Sequence, residues 1–264
     1  MGRDPLIALI PRNASPAFID GVRAATLSAQ MGIGIGYASE RYVHEGAGVS
    51  VPAALDAFQA AYSLGKRHID ATAGRLRPSD DPTAGEVYAD VALRRLESSY
   101  FSAGLLFKVG QLVEAHTLSR LFLEQVAWAY GVFEFQTYHA AARLSPPRAI
   151  SLFAELIPSV GPLYGELSED AHLDLEEHLR FLRFNNGTVE ILLAPGRASL
   201  LAGAVLLDLA DLWSVTYERS QWPHILAPEN WTDSPDGPEL RADRPFLDVA
   251  SQARERLIES VAAS

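Results

Sequence analysis

The chain has no cysteine. Disulfide bonds, cysteine-bound zinc, iron–sulfur clusters and thiol nucleophiles are therefore excluded. Lysine is scarce. Of 22 basic residues only Lys66 and Lys108 are lysines, so nearly every cation is a guanidinium suited to bidentate pairing with carboxylate or phosphate. Positive charge as a whole is short: 22 Lys and Arg against 33 Asp and Glu leave a net charge of −11. That balance disfavours dedicated DNA binding, which draws on Lys and Arg at the phosphates, and leaves RNA open.

Long uninterrupted apolar runs are missing too. The best membrane-span candidate, Ala198 to Tyr217, contains Asp208 and Asp211 and reads instead as a buried helix. The opening MGRDPLIALIPRN has too short an apolar core for a secretory signal and no small-residue cleavage pattern. The expectation is a cytoplasmic protein with no membrane association. No Gly-x-Ser-x-Gly elbow occurs, and Gly32-x-Gly-x-Gly36 lacks the spacing and flanks of a nucleotide loop.

What the chain has in abundance is helical period. Its 264 residues, 48% of them hydrophobic, suffice for a large core. Ser15-Pro16 opens a helix to about Gln30, and Ser50-Val-Pro52 opens a second to about Leu76. A third spans about Ala84 to Lys108 and a fourth about Gln111 to Arg143. Ser145-Pro146-Pro147 restarts a helix that stops before Pro158, and Ser168 caps another to about Phe184. Val189 to Leu193 is a short apolar run of strand or helix. A long helix follows from about Arg197 to Arg219. Trp222 to Pro245 carries five prolines and reads as an ordered or lid-like loop, before a closing amphipathic helix from Asp248 to Ala262. The fold class is all-α: a helical bundle around a long apolar central helix, with extra N-terminal helices and a Pro-rich C-terminal loop. Residues 1–76 form an N-terminal helical segment, an added layer, and 84–264 the main bundle.

Two constellations carry chemistry. In the fourth helix His116, Arg120 and Glu124 fall at i, i+4, i+8 among apolar neighbours. An Arg and a Glu so embedded are costly unless paired. They form either a self-satisfied pair that fixes packing or an anion-binding, acid–base site. In the second constellation Tyr164 precedes Ser168, His172 and Glu176, which share a stripe of a helix capped by Ser168. His172 in a first helical turn is favoured as neutral imidazole, a general base beside Glu176 or a buried hydrogen-bonding group. Glu169-x-x-His172 is half of a di-iron pattern that needs two such motifs, so no metal and no other cofactor is assigned. Arg219 and His224 match the Arg-x(4–6)-His ribonuclease pattern, which a chain of this composition meets by chance about once or twice.

Leu118-Ser-Arg120-Leu-Phe-Leu-Glu124, followed by Tyr164-Gly-Glu-Leu167-Ser168-Glu-Asp-Ala-His172, resembles a bacterial all-helical family of unknown function. Its members carry a Leu-x-Arg-x-x-x-Glu helix and a later Tyr-x-x-Leu-Ser-x-x-x-His segment. Similar helical proteins stand beside HEPN and abortive-infection proteins. The resemblance implies that Arg120, Glu124, Ser168 and His172 meet in one internal site. The functional expectation is an internal polar pocket that binds or processes a small anionic ligand or nucleotide. In it Arg120, Glu124 and His172 act, and Tyr164, Ser168, Glu176 and His116 bind. The alternatives are a non-enzymatic module that binds a protein partner or forms a homodimer, and a HEPN-like ribonuclease of stress or phage defence using Arg219 and His224.

Overall fold

The structure is a computed structural model and describes residues 15–31, 34–40, 52–77, 81–108, 110–171, 182–185, 188–191, 200–222 and 224–262. Helix dominates: the protein is an all-α bundle. Ten helices occur among the described residues. These are α1 (Pro16–Met31), α2 (Ile35–Ser39), α3 (Pro52–Ala73), α4 (Ala84–Lys108), α5 (Leu112–Val132), α6 (Tyr138–Ala141), α7 (Pro146–Leu156), α8 (Val160–Ala171), α9 (Gly203–Ser220) and α10 (Pro245–Ala262). No helix among the described residues is long and apolar enough to cross a membrane.

Local chemistry sets the boundaries. Ser15 Oγ accepts from Phe18 N at 3.3 Å, capping the helix that Pro16 opens. Thr83 and Glu86 form a reciprocal capping box at the start of α4, with Thr83 N donating to Glu86 Oε2 and Glu86 N to Thr83 Oγ1. Gly110, at φ 82°, supplies the left-handed turn between α4 and α5. The helix expected to run from Gln111 to Arg143 ends at Val132, and Thr137 then caps the short α6 through Ala140 N. Gly85 packs against that end. A side chain there would come within 2.5 Å of the Val132 carbonyl oxygen and closer still to that of Phe133.

Two expectations change in the second half. Ser168 does not cap a helix; it lies inside α8, which begins at Val160, and its hydroxyl donates back to the Tyr164 carbonyl at 2.6 Å. The helix expected to reach Phe184 is also interrupted. β1 (Leu182–Asn185) pairs antiparallel with β2 (Thr188–Ile191), Leu182 opposite Ile191, which makes the start of the ambiguous apolar run a strand. Part of the proline-rich segment is a second hairpin, β3 (Trp231–Ser234) with β4 (Gly237–Leu240). Gly237 at φ 112° turns the chain, and Ser234 Oγ donates to the Gly237 carbonyl at 2.7 Å.

α1 and α2 pack on one another as one compact unit, and everything from Pro52 onward forms a second. The division by packing falls at Val51/Pro52. α3 belongs to the main body because it packs on α9 and α10, burying Phe58, Ala61 and Ile69. α9 is the centre. It packs on α3, α4, α5, α10 and β3, and nearly all its side chains are buried. Several of its polar groups are answered across the bundle, whereas the buried hydroxyls of Ser214 and Thr216 have no hydrogen-bond partner among the described residues. Trp213 Nε1 donates to the Leu93 carbonyl at 2.9 Å, and Trp213 stacks on Tyr217 at 4.6 Å. Tyr217 donates to Asp90 and accepts from Arg94, each at 3.2 Å. Asp211 pairs with Arg244 at 2.7 Å and Asp208 with Arg254.

Candidate functional site

Of the two constellations, three residues meet: Arg120 and Glu124 of the first and Tyr164 of the second. Arg120 and Glu124 lie one turn apart on α5, with Arg120 Nε donating to Glu124 Oε1 at 3.1 Å. Tyr164 comes from α8, which packs along α5. Its hydroxyl accepts from Arg120 Nη2 at 3.2 Å and donates to the same Glu124 oxygen at 3.0 Å. The guanidinium also sits over the Tyr164 ring, 5.4 Å from its centre. Desolvation works against the Arg120 charge, but the hydrogen bonds to Tyr164 and Glu124 outweigh it and raise its pKa. The cluster is half-buried rather than internal: 29% of the Arg120 side chain and 18% of the Glu124 side chain remain accessible.

Around this trio the expected site thins out. Ser168 spends its proton on its own helix. His116 packs edge-on against Phe107 at 5.2 Å. His172 and Glu176 lie outside the described residues. The trio is a closed loop of donors and acceptors, and its chemistry is that of a clasp between α5 and α8. Both partners the guanidinium needs come from its own chain.

The ribonuclease pair is not joined by any described contact. Arg219 is held by Glu134 at 3.4 Å and lies over the rings of Phe133 and Trp231, at 4.6 and 5.7 Å. His224 is tied through its backbone, donating to the Gln221 carbonyl at 2.7 Å and accepting from Arg77 N at 2.9 Å. Among the described residues no group of three or more His, Asp or Glu is placed to hold a metal ion.

Another opening lies elsewhere among the described residues. A cleft of about 580 Å³ runs between the end of α5, the segment after it, and α7. That volume is in the range of small-molecule sites. Tyr130, Phe133, Phe135, Leu144, Leu152 and Leu156 give it an apolar and aromatic lining, with Glu134, Arg143, Arg148 and Glu155 as its charges. Glu134 is already engaged by Arg219. Neither the Arg143 nor the Arg148 guanidinium has a hydrogen-bond or ion-pair partner among the described residues. Tyr130 packs on Phe153 at 5.1 Å. Burial raises its pKa; Arg219 works the other way, and Glu134 and Glu155 add to the rise.

Sequence reasoning passed over Arg143 and Arg148 because neither interrupts an apolar helical pattern. The only signal was their placement on either side of the Pro146-Pro147 restart. It also passed over Glu218, a fully buried acid in the central helix. Glu218 pairs with Arg75 at 2.6 Å and accepts the backbone N–H groups of Glu229 and Asn230. Burial raises its pKa against those bonds. No protein-family model matches the chain, and neither a curated protein nor a solved structure matches it.

Proposed function

We propose that the protein binds a small anionic ligand with an apolar or aromatic body, and that the cleft between α5 and α7 is its seat. The observation that carries this reading is the pair of guanidiniums, Arg143 and Arg148, that line one aromatic cleft and have no partner among the described residues. Two beside one cleft supply a bidentate grip on a carboxylate, sulfonate or phosphate. The Phe135, Leu144 and Leu152 side chains then cover the ligand's apolar part. The reading keeps the ligand class expected from sequence and moves the site away from Arg120, whose hydrogen-bonding capacity Glu124 and Tyr164 already draw on.

The test uses anilinonaphthalene sulfonate, which combines an anionic head with an aromatic body. Its fluorescence titration against the native full chain is expected to saturate at one site. The Arg143→Ala/Arg148→Ala variant is expected to weaken binding about tenfold or more, since each lost charge-assisted hydrogen bond is worth about 1.5–3 kcal/mol. Both residues are exposed, so the variant keeps its thermal midpoint. Saturable binding that the double variant leaves unchanged refutes the assignment, as does the absence of saturable binding to the native chain.

A further inference from the structure

α4 has two faces of opposite character. One buries Ala89, Leu93, Leu96, Tyr100, Ala103 and Phe107 in the bundle. The other carries Val87, Val91, Arg94, Ser98, Phe101 and Leu105, at spacings of four and three residues in alternation. That alternation draws a straight stripe along a helix and is the spacing by which one helix lies against another. Its four apolar members are 41%, 63%, 56% and 46% exposed, in chain order. Leu121 of α5, also exposed, extends it sideways, one turn from the Gln125 that Arg95 of α4 reaches. Apolar side chains at both ends of one stripe, with Arg94 and Ser98 between them, are not a scatter of surface residues.

The order of residues in the stripe is palindromic in chemistry. Turning the helix end for end about the level of Leu96 sets Val87 opposite Leu105 and Val91 opposite Phe101, so every apolar residue meets an apolar one. The same operation brings Arg94 of one copy level with Glu97 of the other, on the same side of the stripe. Both are exposed, and Arg94 has a nitrogen to spare. Its Nε is bonded to Asp90 and its Nη2 to the Tyr217 hydroxyl, while Nη1 enters neither bond. Self-complementarity of this kind is what a two-fold interface requires. The flanks carry charges of both signs, Asp90 and Glu97 with Lys108 on one side and Arg95 on the other, and not the run of cations by which a helix docks on a lipid surface.

We infer that the α4 stripe is an interface with a second copy of this chain, the two α4 helices packing antiparallel across a two-fold axis near Leu96. Val87, Val91, Phe101 and Leu105 form the apolar seam, and two Arg94–Glu97 pairs bracket the axis. None of the stripe's residues lines the ligand cleft, and the inference does not depend on that reading.

The absence of cysteine makes the test clean. Sedimentation equilibrium of the full chain across the micromolar range is expected to give twice the chain mass, and Phe101→Glu is expected to weaken association tenfold or more. The substitution is at an exposed position, and circular dichroism shows that the variant is folded. Ser98→Cys then places one thiol per chain. In the antiparallel register the two copies of residue 98 are offset by four residues, about 6 Å along the helix, and the two copies of residue 105 by 18 residues, about 27 Å. A short bifunctional thiol reagent is expected to link Ser98→Cys into covalent dimers and leave Leu105→Cys as monomer. A monomer at all concentrations, a dimer indifferent to Phe101→Glu, or linkage at 105 in preference to 98 overturns the inference.

Discussion

His68 carries a charge penalty that acid should reveal. It lies on α3 with 9% of its surface exposed, its ring stacked on Phe246 at 3.8 Å and 4°, and its Nε2 without a hydrogen-bond partner. Burial lowers its pKa from 6.5 to about 4; Glu229 opposes the shift, and Arg75 and Arg244 reinforce it. Above pH 6.5 the ring is neutral in both folded and unfolded chains and contributes no pH dependence. As pH falls below that value the unfolded chain takes up a proton that the folded chain refuses until about pH 4, so stability is lost across this window. With those two pKa values the loss is roughly 2 kcal/mol by pH 5 and levels off near 3 kcal/mol below pH 4. Urea denaturation of the native chain and of His68→Phe, which keeps the ring stack without the titrating group, isolates the effect. From neutral pH to about pH 5 the native chain is expected to lose about 2 kcal/mol more than the variant. An equal loss in both, or an imidazole titrating near 6.5 in the folded chain by NMR, refutes the reasoning.

Other perturbations probe other parts of the fold. Tyr164→Phe removes the hydroxyl that links Arg120 to Glu124 across α5 and α8, and should cost about 1 kcal/mol in chemical denaturation. Glu218→Gln keeps the shape but removes one of the two carboxylates on Arg75, which retains its pair with Glu229 at 2.6 Å. A loss of about 1–3 kcal/mol is expected, read as a drop in thermal midpoint. Gly85→Ala forces a methyl group against the carbonyls that end α5 and should cost about 1–3 kcal/mol; an unchanged midpoint would mean that the two helices separate freely there.

Much of the architecture was legible because proline and small polar residues punctuate helices by local chemistry. Ser15-Pro16, Pro52 and Ser145-Pro146 each stand where a helix begins. The apolar run around Asp208 and Asp211 reads as the buried centre because only a helix with its acids paired can be that hydrophobic; Arg244 and Arg254 supply the pairs. Ser168 misled because a serine before two acids is equally good as a cap and as an interior residue that bonds its own turn. The choice depends on where the preceding helix started. The hairpin β3–β4 was hidden by Pro228, Pro235 and Pro238, which forbid a central strand but not a two-stranded ribbon. A loop separates α3 from α4 in the sequence, while their shared packing on α9 joins them, a relation that local sequence does not carry. The Arg120–Glu124 pairing followed from helical spacing alone. Its partner Tyr164 stood in the second constellation as a binding residue of the same pocket, and the Arg143/Arg148 cleft was in neither, since it exists only once α7 folds back on α5.

The position of α9 in the chain has a consequence for how the protein is made. α3, α4 and α5 leave the ribosome well before the helix they enclose, and α10, which seals α3 from the other side, emerges last. Until α9 emerges, the faces of α3, α4 and α5 that pack on it lack that cover, and apolar surface exposed in this way is prone to aggregation. A chain halted before α9 is therefore an aggregating species and not a smaller folded one.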